Sequence, residues 1–260
     1  MRLFGPAHAR RAAILACVVL AWLGPATNLM AGMPDSAAVT QSRSSPAEPF
    51  GLSTSRVYAG PLQQKWSGLA HKLDDEAVQL ALCDGNRDGC ASEAALQFLA
   101  IVDSGRTRDG RARLGEINRA INLSIRPMSD FAQYGQIDVW SSPLATLYRG
   151  AGDCEDYAIA KFVALHQAGI ATEDLRIVIM RDTIHGEDHA VAAARLDGHW
   201  LMLDNRRMAM VEDFHVRNYR PLFVIDQSGV MKYADPPLLA AAPDHDMTPT
   251  AEPGQISRPN

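Results

Sequence analysis

The stretch 189-HAVAAARLDGHWLMLD-204 sets two apolar runs on either side of Asp197-Gly198. An Asp-Gly pair between extended runs is the signal of a two-residue hairpin whose primed turn needs positive φ at both central positions. Such a turn pairs Leu196 with His199, and the register follows: Arg195 with Trp200, Ala193 with Met202, Val191 with Asp204. Opposite residues share a face of the sheet. His189, two residues before Val191, therefore falls on the face of Asp204, diagonally adjacent and within side-chain reach. Register alone predicts a carboxylate able to orient an imidazole.

Around this hairpin the period is that of strands: 175-LRIVIMRD-182 before it, 221-PLFVID-226 and 230-VMKYA-234 after it. Upstream the period is helical. The segments 61-PLQQKWSGLAHKL-73, 91-ASEAALQFLAIVDSG-105 and 111-RARLGEINRAINLSI-125 carry apolar residues at three- and four-residue steps. A further helix runs from about Asp153 to Gln167 and is stopped by Gly169; its Ala158, Ile159, Phe162, Val163 and Leu165 cover most of its circumference, as in a buried helix. Helices followed by strands with short turns predict an α+β domain, with a helical N-terminal layer and one helix packed across an antiparallel sheet.

The chain has 260 residues, 47% of them hydrophobic and 21% charged, a globular composition. Arg2, Arg10 and Arg11 precede the short apolar run 12-AAILACVVLAWLG-24, the pattern of an export signal ending near 29-LMA-31. Residues 32–48 and the Pro-rich 235–260 read as disordered linker and tail, leaving 49–234 as one domain. The formal charge is −5, and removal of residues 1–31 takes away three arginines and no acid, so the exported chain is more acidic still. That balance argues against a nucleic-acid or anionic-lipid partner.

Three cysteines follow the signal. Cys83 and Cys90 bracket the turn-rich 84-DGNRDG-89 and are placed to close a local disulfide in an oxidising compartment, which leaves Cys154 as the odd thiol. Cys154 sits at the start of the buried helix, where the helix dipole favours a thiolate, but among Asp153, Glu155 and Asp156, whose charges oppose one. With His189 as base and Asp204 as its orienter, the set has the logic of a cysteine acyl-transfer enzyme. The pair in 185-HGEDH-189 lacks the helical zinc pattern, because Gly186 stands where the Glu is needed.

The run 150-GAGDCEDYAIAKF-162, with 188-DHAV-191 and 200-WLMLDNR-206, resembles the bacterial transglutaminase-like cysteine peptidases of the LapG type. The resemblance implies a papain-like or transglutaminase-like fold with Cys154 as nucleophile, His189 as base and Asp204 as orienter. It also implies a periplasmic location and Ca²⁺ held by acids flanking the cysteine, here Asp153, Glu155 and Asp156. Oxygen-rich carboxylates suit that hard cation, whose charge would cancel their repulsion of a thiolate. The best-understood members of this family cut large surface adhesins near the N-terminus and are restrained by an inner-membrane cyclic di-GMP receptor, so the resemblance implies a protein substrate and such a partner. Upstream, 138-DVWSSPLATLYRG-150 resembles the family's Trp-containing entry to the helix, where Trp140 could line the groove, help an oxyanion hole or pack the helix. A transglutaminase or deamidase with the same triad, and a non-catalytic periplasmic binding module, are the alternative functions.

Overall fold

Residues 48–234 are described by the computed structural model. The export signal expected over 1–31, the linker up to residue 47 and the tail over 235–260 lie outside the described residues. Glu48, read from sequence as the linker's last residue, is tied to the domain: its two carboxylate oxygens accept from Arg176 Nε at 2.7 Å and Nη2 at 2.9 Å.

The helical layer comes first. It comprises α1 (Pro61–Gly85), α2 (Glu93–Arg106) and α3 (Gly110–Ser124), after a short strand β1 (Thr54–Arg56). The sequence places α1 over 61–73; it runs on to Gly85 because Leu80 and Cys83 resume the buried stripe beyond the acidic Asp74, Asp75 and Glu76. Ser92 caps α2 by accepting from Ala95 N–H at 3.2 Å, a contribution of about 1 kcal/mol. Phe98, Val102, Ile117 and Ile121 are fully buried between α2 and α3. The pairing of Cys83 with Cys90 is present, and Cys154 is the free cysteine among the described residues. Closing so short a loop stabilises by about 2–3 kcal/mol at most. Thiol counting on the unreduced, denatured chain lacking residues 1–31 is expected to find one free cysteine; three would refute the bridge.

Next come the short pieces that surround the site: β2 (Arg126–Pro127), α4 (Asp130–Tyr134), α5 (Pro143–Arg149) and β3 (Ala151–Gly152), with β2 and β3 parallel. They lead into α6 (Cys154–Gln167). The remaining strands are β4 (Leu175–Asp182), β5 (Asp188–Leu196), β6 (His199–Leu203), β7 (Val211–Glu212), β8 (Tyr219–Asp226) and β9 (Gly229–Tyr233). With β1 they form a seven-stranded antiparallel sheet in the order β1-β9-β8-β4-β5-β6-β7. The edge strands β1 and β7 are too short to show a period in sequence. The fold is α+β, as the sequence predicts.

The hairpin register is as derived: Leu196 faces His199, Arg195 faces Trp200 and Ala193 faces Met202. Asp197 at φ 52° and Gly198 at φ 84° supply the two positive angles of the primed turn. Alternation then sorts the sheet. Leu175, Ile177, Ala190, Ala192, Ala194, Leu201 and Leu203 join the core shared with the helices, whereas Val178, Met180, Val191, Ala193, Trp200 and Met202 build a second core on the opposite face. Three alanines on β5 leave room for α6 to lie close against the sheet. Phe50, Leu52, Val216 and Tyr219 cover the other side. Among the described residues, no helix is long and apolar enough to cross a membrane.

Candidate active site

His189 begins the buried part of β5 and Asp204 follows the last residue of β6, on the sheet face away from α6. His189 Nε2 lies 2.9 Å from Asp204 Oδ1, and both residues are buried. A carboxylate can only accept, so Nε2 carries the proton and Nδ1 is left with its lone pair. Nδ1 is buried and has no hydrogen-bond partner. Asp204 Oδ1 also accepts from Arg206 N–H at 2.9 Å, and these bonds hold the Asp204 carboxyl below its usual range against the cost of burial. The Tyr219 ring covers the imidazole, with centroids 5.8 Å apart, and Arg206 Nη1 reaches both Tyr219 Oη and Asp182 Oδ2 at 3.3 Å.

Cys154 is the first residue of α6, with Asp153 as N-cap. The Ala190 backbone N–H points at its sulfur, one residue along from His189. The thiol donates to Glu155 Oε2 at 2.9 Å. Burial, then the charge and hydrogen bond of Glu155, push its pKa well above the ordinary thiol range, so the thiol is protonated in this arrangement. Cys154 and His189 line one cavity of about 540 Å³ together with Lys65, Asp138, Trp140, Glu155, Asp188 and apolar Leu62, Ile179 and Phe223. Trp140 thus lines the groove. Its indole N–H is already given to Asp138 Oδ1 at 3.0 Å, which removes it as an oxyanion donor.

Asp153 and Asp156, three apart and so on one side of α6, meet Asp130 of α4, with carboxylate oxygens all within 4.8 Å of one another. Glu155 accepts from the thiol and its carboxyl also lies against that of Asp153, while Asp130, which the sequence reading did not name, joins Asp153 and Asp156. Asp130 lies 23 residues before Asp153, and no local pattern marks it. The cluster passes a test of fit to a cation: Asp130 Oδ1, Asp153 Oδ1 and Asp156 Oδ2 are buried oxygens without a partner. Asp153, although at the N-cap, makes no capping bond, so its carboxylate is not spent on the helix end. The spacing and all-oxygen character suit Ca²⁺. A Cβ on Gly152 would lie 2.8 Å from the Asp156 side chain, so glycine is what admits the carboxylate here.

The remaining oxygens of the cluster hold the groove wall. Asp130 Oδ2 accepts from Val139 N–H, and Asp156 Oδ1 accepts from Ser141 N–H at 2.8 Å. These donors flank Trp140. Ser142 Oγ and Leu144 N–H are taken by Glu76 of α1, an α5 cap that sequence reading missed for want of any local signal. Also missed was Lys161, wholly buried in α6, whose pKa burial pulls down to about 7 against the opposing pull of Asp204. His185 pairs with Asp182 at 2.9 Å rather than with any metal ligand, and His199 lies 3.6 Å from Glu212.

A family model for the bacterial transglutaminase-like cysteine proteinases matches residues 77–232, which include Cys154, His189, Asp204 and the three acids of the cluster. The chain belongs to this family. As a member of the bacterial transglutaminase-like cysteine proteinases it is a cysteine peptidase. Among solved structures it is similar to Legionella pneumophila LapG, with 21% identity over 60% of this chain and 86% of that one and a TM-score of 0.50. It is also similar to the calcium-bound form of Legionella pneumophila LapG, with 20% identity, 62% and 91% coverage and a TM-score of 0.50. The EGTA-treated form gives 20% identity, 63% and 91% coverage and the same TM-score. At that identity the likeness shows the shared transglutaminase-like fold. No curated protein matches the chain.

Proposed function

We propose that this chain is a periplasmic, calcium-dependent cysteine endopeptidase in which Cys154 is the nucleophile, His189 the base and Asp204 its orienter. The observation that carries the triad is the His189 Nε2–Asp204 bond, which leaves Nδ1 without a partner on a side chain that lines the same cavity as the thiol. Nδ1 takes the thiol proton as the sulfur attacks a peptide carbonyl. The imidazolium then gives that proton to the leaving amine, which departs from a thioester acyl-enzyme. Water, deprotonated by the same nitrogen, releases the acyl fragment and restores the thiol. The developing oxyanion would lie by the N-terminus of α6, where backbone N–H groups and the helix dipole favour negative charge.

Asp130, Asp153 and Asp156 would hold Ca²⁺, whose charge would offset the acids around the thiol. The family resemblance supports a surface adhesin, cut near its N-terminus, as the substrate and an inner-membrane cyclic di-GMP receptor as a partner.

Incubation with adhesin N-terminal fragments followed by mass analysis tests the reading. New peptide termini are expected. A gain of one dalton without cleavage would mean deamidation, and unchanged fragments would count against the adhesin.

Asp204 variants are expected to grade. Asp204→Asn keeps the shape of the side chain but loses the charge and can turn an amide N–H toward the imidazole, which sets the wrong tautomer of His189, so kcat is expected to fall by about 10⁴-fold with little effect on substrate binding. Asp204→Ala frees the imidazole and costs about 10³-fold, within the range of triad disruptions. Equal, small losses in the two variants would mean that Asp204 does not orient the base.

A further inference from the structure

Two polar side chains that the mechanism does not use converge on one α-carbon. Lys161, seven residues after Cys154 on α6, is wholly buried, and its Nζ donates to Leu203 O at 3.0 Å. Asn122, near the end of α3, donates through Nδ2 to Asp204 O at 3.1 Å and to Arg207 O at 3.3 Å. The carbonyls of Leu203 and Asp204 belong to the two peptide units on either side of the Asp204 α-carbon. One is held from α6, the other from α3. Asp204 itself lies just past the last paired residue of β6, where the ladder no longer fixes the backbone.

A buried ammonium is costly, and an apolar side chain of the same shape would spare that cost. Leu203 O is a neutral acceptor that does not by itself compensate for it. The other charged and titratable groups around this turn are the Asp204 carboxylate, Arg206, whose N–H donates to Asp204 Oδ1, Arg207 at 3.6 Å from Oδ2, His189 across the sheet, and Tyr157, whose ring lies 5.8 Å from Lys161 Nζ. What Lys161 and Asn122 add is a fixed position for the turn that carries Asp204.

We infer that Lys161 and Asn122 are positioning residues for peptide cleavage, a two-sided backbone clamp that holds Asp204 where its carboxylate meets His189 Nε2. The inference rests on the assignment of the triad made above. The clamp acts through Asp204 and touches neither substrate nor thiol, so its loss lowers turnover and leaves binding alone.

The test uses Lys161→Met and Asn122→Ala in the full exported chain. Methionine keeps the length of the stem and removes a desolvated charge, so the variant is expected to fold. Each variant should lower kcat about 10-fold with KM within about twofold of wild type, as for a slight misplacement of a catalytic group. The low-field proton resonance of His189 Nε2–H, which reads the bond to Asp204 without any substrate, should shift or broaden. In an Asp204→Ala background either substitution should change kcat by less than about twofold, because the group it positions is gone. Wild-type kcat with an unmoved resonance in both variants would overturn the inference. So would a loss that persists undiminished without Asp204, or failure of both variants to fold, since the two residues would then serve the fold and not the triad. Activity surviving in Cys154→Ala would instead remove the triad assignment, a result separable from the state of the His189 resonance.

Discussion

Cys154→Ala is expected to leave a folded chain whose turnover falls by about 10⁶-fold, the scale on which loss of a covalent nucleophile is felt. Of the groups in the cavity, Lys65 is engaged by Asp138 and the acids are poor nucleophiles toward an amide, so the thiol has no substitute. Folding should survive because the substitution removes one half-buried atom and relieves the packing of a thiol against acids; the melting temperature is expected within a few degrees of wild type. His189→Ala should cost nearly as much, and the double variant no more than the worse single one, because nucleophile and base act as a unit. Cleavage that continues in Cys154→Ala, with the same new termini, would show that the thiol is not the nucleophile.

Removal of calcium is expected to abolish activity and to loosen the groove wall at the same time. Three buried carboxylate oxygens without partners repel one another when ionised unless a cation stands between them. The same acids carry the Val139 and Ser141 N–H groups on either side of Trp140. Calcium at about 100 times its dissociation constant contributes about 2.7 kcal/mol, or about 5–10 °C in melting temperature. Mg²⁺, which wants a tighter octahedral shell and keeps its waters, should not replace it. A change in tryptophan emission on chelation, lost in Trp140→Phe, would place the loosening at the groove. Asp130→Asn and Gly152→Ala should each imitate chelation without touching Cys154, whereas Glu155→Gln should leave the calcium-induced rise in melting temperature intact. Full activity in EGTA, with no calcium in the purified protein by elemental analysis, would leave the cluster without a metal role.

The cluster also sets the pH dependence of the metal-free chain. Burial, then repulsion from Glu155, Asp156 and Asp130, pushes Asp153 up to about 9, and burial pushes Asp156 up to about 7. Acids raised in the folded state keep protons that the unfolded chain has released, so metal-free stability declines as pH climbs from about 4 toward 9. Calcium should therefore raise the melting temperature more at pH 9 than at pH 6. An increment that shrinks with rising pH would contradict this placement of the acids.

Sequence by itself determined what depends on local rules. The Asp197-Gly198 turn admits one hairpin register, and with a side-chain period of two that register puts His189 and Asp204 on one face. Helical spacing placed Cys154 at a buried helix tip, and two cysteines around a tight loop announced their bridge. Only the tertiary structure decided what depends on elements distant in the chain. Asp130 completes the acidic cluster because α4 lies against the start of α6, while Glu155, adjacent to Cys154 in sequence, is turned toward the thiol by the 100° step of the helix. Lys161 shares a helical face with Tyr157, Ala158 and Leu165, but its place under Asp204 follows only from the way α6 crosses β5 and β6. The physical reason is range. Turn chemistry and periodicity act over a few residues, whereas a cation site or a backbone clamp is made by packing, which brings together groups that no spacing in the chain relates.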